Sequence, residues 1–288
     1  MNKTNSPSRR GLLRYIAMTA ALSPFASFAK EAPMRRVFIT GSTDGLGRDA
    51  AKTLIDQGHQ VVLHARSRER AAALADLAPR AAGVAIGDLA SAAETRSLAE
   101  QVNKIGRMDA VIHNAGIFRE PGRGKTPEGH AKVLAVNVLA PYMLTRLIEK
   151  PQRLVYLSSS MHRGGEGPLD DIDWSKRSWD TYRAYSESKL YVTALAFAVA
   201  RRWPDVLSNA VEPGWVATRM GGPGAPDDID QAHLTQAWLA ASDDPAARTT
   251  GGYFYHLKPR HPKPQASDIA FQDRLLTICE EISGVDMA

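Results

Sequence analysis

Short apolar runs alternate with longer amphipathic stretches along most of the chain, from Arg35 to Tyr255. Arg35-Arg-Val-Phe-Ile-Thr40 is bounded by charge and by Gly41, the pattern of a strand buried on both faces. Arg48 to Gln57 places Ala50, Ala51, Leu54 and Ile55 on one side of a helix, and Gly58 stops it. The same reading predicts strands at Gln60–His64, Gly83–Ile86, Met108–His113, Arg153–Leu157 and Leu207–Val211, with a short last strand at Gly252–Tyr255. It predicts helices over Arg68–Leu77, Ser91–Ile105, Lys132–Leu147 and Ser267–Ile282, one through Tyr185 to Arg202, and one from about Gln231. Strands alternating with helices predict an α/β fold with a doubly wound parallel sheet.

In such sheets ligands bind just past the carboxyl ends of the strands. The first strand runs into Thr40-Gly41-Ser42-Thr43-Asp44-Gly45-Leu46-Gly47 and then a helix. Gly41 allows a sharp turn, Gly45 lets the backbone approach a pyrophosphate, and Gly47 lets helix and strand pack closely. The phosphates then meet free N–H groups at the helix N-terminus. The fold is therefore read as Rossmann-type, a three-layer α/β/α single domain. The second strand ends in Ala65-Arg66, without the acid that would bind a ribose 2′-hydroxyl. Arg66 favours a 2′-phosphate, hence NADP(H) over NAD(H). Asp44, inside the turn, argues mildly the other way. Four further strand ends carry polar or turn residues: Gly87-Asp88-Leu89, Asn114-Ala115-Gly116, Ser158-Ser159-Ser160, and Glu212-Pro213-Gly214-Trp215-Val216-Ala217-Thr218.

Tyr185 and Lys189 stand one turn apart on one helix face. A cation beside a phenol favours the phenolate, so the pair can move a proton nearer neutral pH than a free tyrosine. Taken alone, this spacing is commonly just a solvated face. Here it sits in a chain that also carries a dinucleotide turn.

With these motifs in place, the chain resembles the short-chain dehydrogenase/reductase family, classical type, over roughly Arg35 to Tyr255. The resemblance rests on Thr40–Gly47, Asn114–Gly116, Tyr185–Lys189 and Pro213–Gly214 in the family's order. Ser158–His162, Asp171–Trp179 and Ala184–Lys189 make it most similar to the retinol-dehydrogenase-like and carbonyl-reductase-like branches. The resemblance implies reversible NADP(H)-dependent hydride transfer between a ketone or aldehyde and its alcohol. Tyr185 would be general acid or base, and Lys189 would lower its pKa and hold the nicotinamide ribose. Ser159 would bond the substrate oxygen, with Ser158 and Ser160 as rivals, and Asn137 would hold a water linking Lys189 to solvent. Asp88 and Leu89 would contact the adenine, and Asn114, Ala115 and Gly116 would line the nucleotide cleft. Pro213, Gly214, Val216 and Thr218 would seat the nicotinamide and its phosphate. A homodimer or homotetramer is also implied.

Composition bounds the rest. At 288 residues and 44% hydrophobic content the chain can bury a large single core. The lone Cys279 excludes an internal disulfide and a cysteine-rich metal site, and the eight histidines lack metal-ligand spacing, so no metal is expected. Of the net charge of +5, Lys3, Arg9, Arg10 and Arg14 lie in the first 29 residues, which hold no acid, so no nucleic-acid surface follows. Those residues have a charged start, a short apolar middle and the small-residue end Ser27-Phe-Ala29. They read as a twin-arginine-type signal peptide at 1–29 that sends a folded protein to the periplasm, too short to be a stable membrane span. A true start at Met34 would make the protein cytoplasmic instead. Residues 30–34 are then a linker, 35–257 the domain, and 258–288 a C-terminal linker and helix that docks or mediates assembly. The long loop from Ser159 to Tyr185 is expected to wall the substrate cleft, and Arg219–Asp228 to form a mobile lid. Trp174, Trp179 and Trp215 are candidates for an apolar wall. Two alternatives stand beside this reading: a non-catalytic NADP(H) sensor, disfavoured by the acid–base set, and a membrane-anchored retinoid or lipid carbonyl reductase.

Overall fold

A computed structural model describes residues 33–119 and 122–287; the leader at 1–29 lies outside them. β1 (Arg36–Ile39), α1 (Gly45–Asp56) and β2 (Gln60–Ala65) form the first crossover unit. α2 (Arg68–Ala71), β3 (Gly83–Ile86), α3 (Ala92–Ile105) and β4 (Ala110–His113) follow. Next come α4 (Lys132–Leu134), α5 (Ala140–Leu147), β5 (Arg153–Leu157), α6 (Thr181–Arg202) and β6 (Leu207–Glu212). The chain closes with α7 (Ile229–Ala232), α8 (Leu234–Ala241), β7 (Tyr253–Tyr255), β8 (Lys258–Pro259) and α9 (Ile269–Ser283).

The strands lie in the order β3-β2-β1-β4-β5-β6-β7-β8. β1 to β7 are parallel, and only β8 runs antiparallel. The register pairs Phe38 with Val62 on one side and Val111 on the other. Successive side chains point to opposite faces, so each strand feeds two cores. Val37 and Ile39 pack with Leu54 of α1 and Leu239 of α8. Phe38 packs on the other face with Leu98, Leu144 and Leu195 of α3, α5 and α6. This sandwich is why the strands read as unbroken apolar runs. The strand order reverses between β1 and β4, which opens a crevice at their carboxyl ends.

Several elements differ from the sequence reading. The helix expected over Arg68–Leu77 stops at Ala71 and tightens into a 3₁₀ turn, Ala72–Leu74. Residues three apart eclipse in that geometry, so Leu74 and Leu77 bury together. The helix expected over Lys132–Leu147 is broken by a π turn at Ala135–Leu139, with Asn137 inside it. The Ser159–Tyr185 loop folds into 3₁₀ turns at Ser160–Gly164 and Leu169–Asp171. The segment from Lys258 begins as an edge strand on β7 rather than a free linker. α9 then packs against α6, burying Leu275, Leu276 and Cys279 in the same core.

Candidate active site

The crevice between β1 and β4 is held by bonds between backbone groups and the side chains of Thr40, His64 and Asn114, packed too closely to admit a Cβ at Gly47. Gly41 has φ +67°, and its N–H donates to His64 Nδ1 at 2.8 Å. Asn114 Nδ2 donates to the Thr40 carbonyl at 2.9 Å, and the Ala115 N–H to Thr40 Oγ1 at 3.0 Å. A Cβ on Gly47 would lie 2.3 Å from Asn114 Nδ2 and 2.4 Å from the Gly41 carbonyl oxygen. Gly45, at φ +52°, faces Thr218, whose Cγ2 would stand 3.6 Å from an added Cβ. Asp44 begins α1 without a side-chain cap bond, so its first-turn N–H groups are not taken by its carboxylate. Glycine turn, helix start and the 213–218 loop thus converge at one place.

His64 was not foreseen. It is buried at the end of β2, and its Nε2 lies 2.8 Å from the Gly87 carbonyl oxygen. Because Nδ1 accepts from Gly41, the ring is neutral with its proton on Nε2, and burial holds its pKa below the ordinary histidine value. It therefore ties the glycine turn to the end of β3. A polar residue inside an otherwise apolar strand was the signal available for it.

Arg66 is exposed just past β2. The objection from Asp44 is met by Arg70, also unforeseen, whose guanidinium lies 2.7 Å from the Asp44 carboxylate and 3.4 Å from Thr43 Oγ1. An exposed pair of this kind contributes about 0–1 kcal/mol of stability. Its consequence is local: it balances the one acidic charge in the turn. Asp88 accepts from the Ala90 N–H at 2.9 Å. Leu89 differs from expectation, since its side chain is buried in the core beneath α5.

α6 starts at Asp180, which accepts from the Tyr182 and Arg183 N–H groups at 3.0 Å. One turn in, Tyr185 and Lys189 both face inward and are buried. Lys189 Nζ donates to the Leu157 carbonyl at 2.7 Å and stands 5.5 Å from the Tyr185 ring centroid. A Cβ on Gly116 would come within 3.3 Å of that ammonium. The site does not show the expected lowering of the tyrosine pKa by lysine. Burial pushes the Tyr185 phenol up to about 12, partly opposed by the neighbouring Ser159 hydroxyl, and burial lowers Lys189 to about 8. The phenol is thus held neutral, as a proton donor must be.

The three serines past β5 separate clearly. Ser158 is buried and shares a 2.6 Å bond with Thr193 Oγ1. Ser160 is exposed. Ser159 lies between them, half-buried, its Oγ accepting from the Met161 N–H at 3.2 Å and close enough to Tyr185 to act on its phenol. Asn137 accepts from the Ile117 N–H at 2.8 Å and donates to the Ile117 carbonyl at 3.0 Å and Ser188 Oγ at 2.9 Å. Its side chain therefore fixes the segment after β4 to α6.

The wall beside Tyr185 is aromatic and apolar. Phe118 lies over its ring at 4.3 Å between centroids, and Tyr182 meets Phe118 edge-on at 5.2 Å. Met220 Sδ is 3.9 Å from the Tyr185 hydroxyl. Met220 belongs to the segment expected as a lid. That segment is anchored by the Trp215 N–H on Asp227 Oδ2 at 2.5 Å and a bridge between Val216 and Asp227. Gly214, at φ +92°, is where Asp227 leaves no space for a Cβ. Val216 is buried, Pro213 is half-buried, and Trp215 is 56% exposed at the mouth. Trp174, by contrast, is buried against Trp179 and under Arg177, so it is packing and not cleft wall.

Residues 41–247 match the family described as Enoyl-(Acyl carrier protein) reductase. The chain is 43% identical over 258 residues to the short-chain dehydrogenase chyC of Penicillium rubens, covering 88% of this chain and 99% of that protein. It is 32% identical to human retinol dehydrogenase 14, covering 87% of each. A solved protein from Mycobacterium paratuberculosis superposes with TM-score 0.76 at 25% identity, over 89% of this chain and 97% of that one. A gluconate 5-dehydrogenase from Burkholderia cenocepacia, solved with NADP and tartrate, superposes with TM-score 0.61 at 20% identity over 80% and 96%. With 43% identity to a short-chain dehydrogenase over 88% of its length, and with this crevice, the chain belongs to the short-chain dehydrogenase/reductase family of oxidoreductases.

Proposed function

We propose that the protein is an NADP(H)-dependent oxidoreductase that interconverts a carbonyl and its alcohol. The observation that carries this is the convergence of Tyr185, Lys189 and Ser159 on one crevice beside the glycine turn. NADPH, held by the glycine turn and Arg66, would supply the hydride. Tyr185 then donates its proton to the carbonyl oxygen as negative charge develops there, and accepts it back in alcohol oxidation. Ser159 Oγ accepts from the Met161 N–H through a lone pair, so its hydroxyl proton can turn from the phenol to the substrate oxygen when one is bound. The Lys189 ammonium favours the phenolate left behind. Asn137 holds the floor of the site through Ile117 and Ser188.

The cofactor reading rests on the fit of the chain to a dinucleotide. The turn takes no Cβ at Gly47, the first-turn N–H groups of α1 have no side-chain cap and would receive the phosphates, and exposed Arg66 follows β2 where a 2′-phosphate would lie. NADP in the Burkholderia protein supports this choice. The roles proposed for Thr43, Leu46, Asp88, Asn114, Ala115, Pro213, Val216 and Thr218 follow from their place along that crevice. Phe118, Tyr182, Met220 and Trp215 favour an apolar, bulky carbonyl over a small polar one. That agrees with the retinol-dehydrogenase-like branch, which the name of the human relative also supports. The leader supports export of the folded protein to the periplasm.

The test assays the protein against a panel of apolar ketones and aldehydes with NADPH and NADH separately. Turnover is expected with NADPH in preference to NADH. Tyr185→Phe is expected to lower kcat by about 10²–10⁴ while NADPH still binds. A wild-type protein that binds NADPH yet reduces nothing on the panel would count against the catalytic reading. N-terminal sequencing of the secreted form tests the leader, with mature protein expected to begin near Lys30.

A further inference from the structure

His162 is fully buried in the 3₁₀ turn that follows the candidate serine. It closes back on that serine. Its own N–H donates to the Ser159 carbonyl at 3.0 Å, and its Nδ1 lies 2.7 Å from the same oxygen. On the far side of the ring, Nε2 meets the backbone N–H of Lys263 at 2.9 Å. An N–H can only donate, so Nε2 must present its lone pair. The neutral ring then carries its proton on Nδ1, where it donates to Ser159.

Lys263 is positioned to be that donor by its neighbours. It sits between Pro262 and Pro264, neither of which has an N–H, so it holds the only backbone donor of the three. The segment is pinned to the serine turn on both sides. Arg163 donates to the His261 carbonyl at 2.6 Å, the Lys263 ammonium donates to the Gly165 carbonyl, and Gln265 donates to the Glu166 carbonyl at 3.1 Å. Tyr253 Oη, 3.3 Å from Nδ1, gives its own proton to Glu212 at 2.9 Å and so does not compete as a donor to the ring.

We infer that His162 is a positioning residue for Ser159, and that the C-terminal strap at Lys263 selects the tautomer in which it works. In the opposite tautomer Nε2–H would point at the Lys263 N–H, and the Nδ1 lone pair at the Ser159 carbonyl. Both contacts would be repulsive. The strap thereby holds the serine turn in the form that leaves Ser159 Oγ facing Tyr185. The segment after β7 is then part of the catalytic framework, and not only a docking tail. This inference rests on the carbonyl–alcohol reading given above.

Lys263→Pro tests it. The residue has φ −60°, which proline adopts, so the change removes the N–H with little demand on the backbone. Lys263→Ala removes the ammonium and keeps the N–H. We expect Lys263→Pro to lower kcat about tenfold relative to Lys263→Ala, with the KM for NADPH alike in the two. Nitrogen-15 NMR of histidine-labelled protein should show Nδ1–H at His162 in the wild type and in Lys263→Ala, and loss of that preference in Lys263→Pro. His162→Asn, whose amide can still reach the Ser159 carbonyl, should retain more kcat than His162→Leu. Equal kcat in the two Lys263 variants would overturn the inference, as would a wild-type His162 carrying its proton on Nε2. A wild type inactive on every carbonyl overturns the catalytic reading instead, and the NMR result still decides the tautomer.

Discussion

The two sides of the crevice are built differently. On the cofactor side, the contacts run between adjacent strand ends: Gly41 to His64 across β1 and β2, and Thr40 to Asn114 across β1 and β4. The parallel register brings these groups together, and backbone atoms with the Asn114 amide fill the space. On the substrate side, Phe118, Ser159, Tyr182, Trp215 and Met220 arrive from separate segments. His162 and Lys263, which meet at 2.9 Å, are 101 residues apart. One side is a fixed consequence of the sheet, and the other is an assembly of loops on it. The difference implies that the cofactor seat resists any change, whereas the substrate wall can be recut while the chemistry is kept.

The largest effect should come from breaking the rigid side. Gly47→Ala places a Cβ against the Asn114 amide and the Gly41 carbonyl. Overpacking of this kind costs about 1–3 kcal/mol, and here it also displaces the phosphate turn. A lower Tm and a loss of NADPH affinity greater than about tenfold are expected, read by thermal melts and fluorescence titration. Undiminished NADPH binding would show that the turn is more pliant than its contacts imply.

Arg66→Ala acts on the same side but at an exposed charge. A charge-assisted bond contributes about 1.5–3 kcal/mol, so NADPH should bind roughly 10–100-fold more weakly and NADH about equally. An equal loss for both cofactors would remove the 2′-phosphate from the argument.

The pH dependence probes where the two sides meet. Burial lowers Lys189 to about 8, so its charged form is present below that pH and is lost as pH rises through it. The ammonium supports both the phenolate and an anionic cofactor. kcat/KM for NADPH, which reports the free enzyme, should therefore be flat below about pH 8 and fall about tenfold per unit above it. A plateau extending to pH 10 would show that Lys189 keeps its proton through other contacts.

The smallest effect is expected on the loop side. Met220→Ala removes the thioether beside the Tyr185 hydroxyl. It should raise kcat/KM for the bulkier ketones of a panel by about threefold and leave NADPH affinity alone. A change in NADPH affinity would mean the loops and the cofactor seat are coupled more tightly than the comparison allows.

Legibility in the sequence followed the same division. The parallel strands, the glycine turn and the Tyr185–Lys189 pair are all local spacings, and each falls at a strand end or on one helix face. They could be read because period and turn chemistry are written in neighbouring residues. The break at Ala71, the π turn around Asn137 and the hairpin to β8 could not be read in the same way. There, packing against other elements overrides a helical or extended pattern. Trp174 and Leu89 show the limit for side chains: an aromatic near the cleft and a leucine at a strand end both turn into the core.

By itself the sequence determined the sheet order's cofactor edge, the turn that receives phosphates, and the residue types for moving a proton. These depend on chain-local geometry. Tertiary structure decided how three adjacent serines differ, because Thr193 from α6 engages Ser158, the turn exposes Ser160, and Ser159 is left half-buried between them. It decided that burial raises the tyrosine and lowers the lysine, since water exclusion comes from the whole core. It also decided that Arg70 balances Asp44, and that a lone N–H between two prolines reaches the histidine behind the serine. Each of these pairs groups remote in sequence, and only the folded chain sets the distance between them.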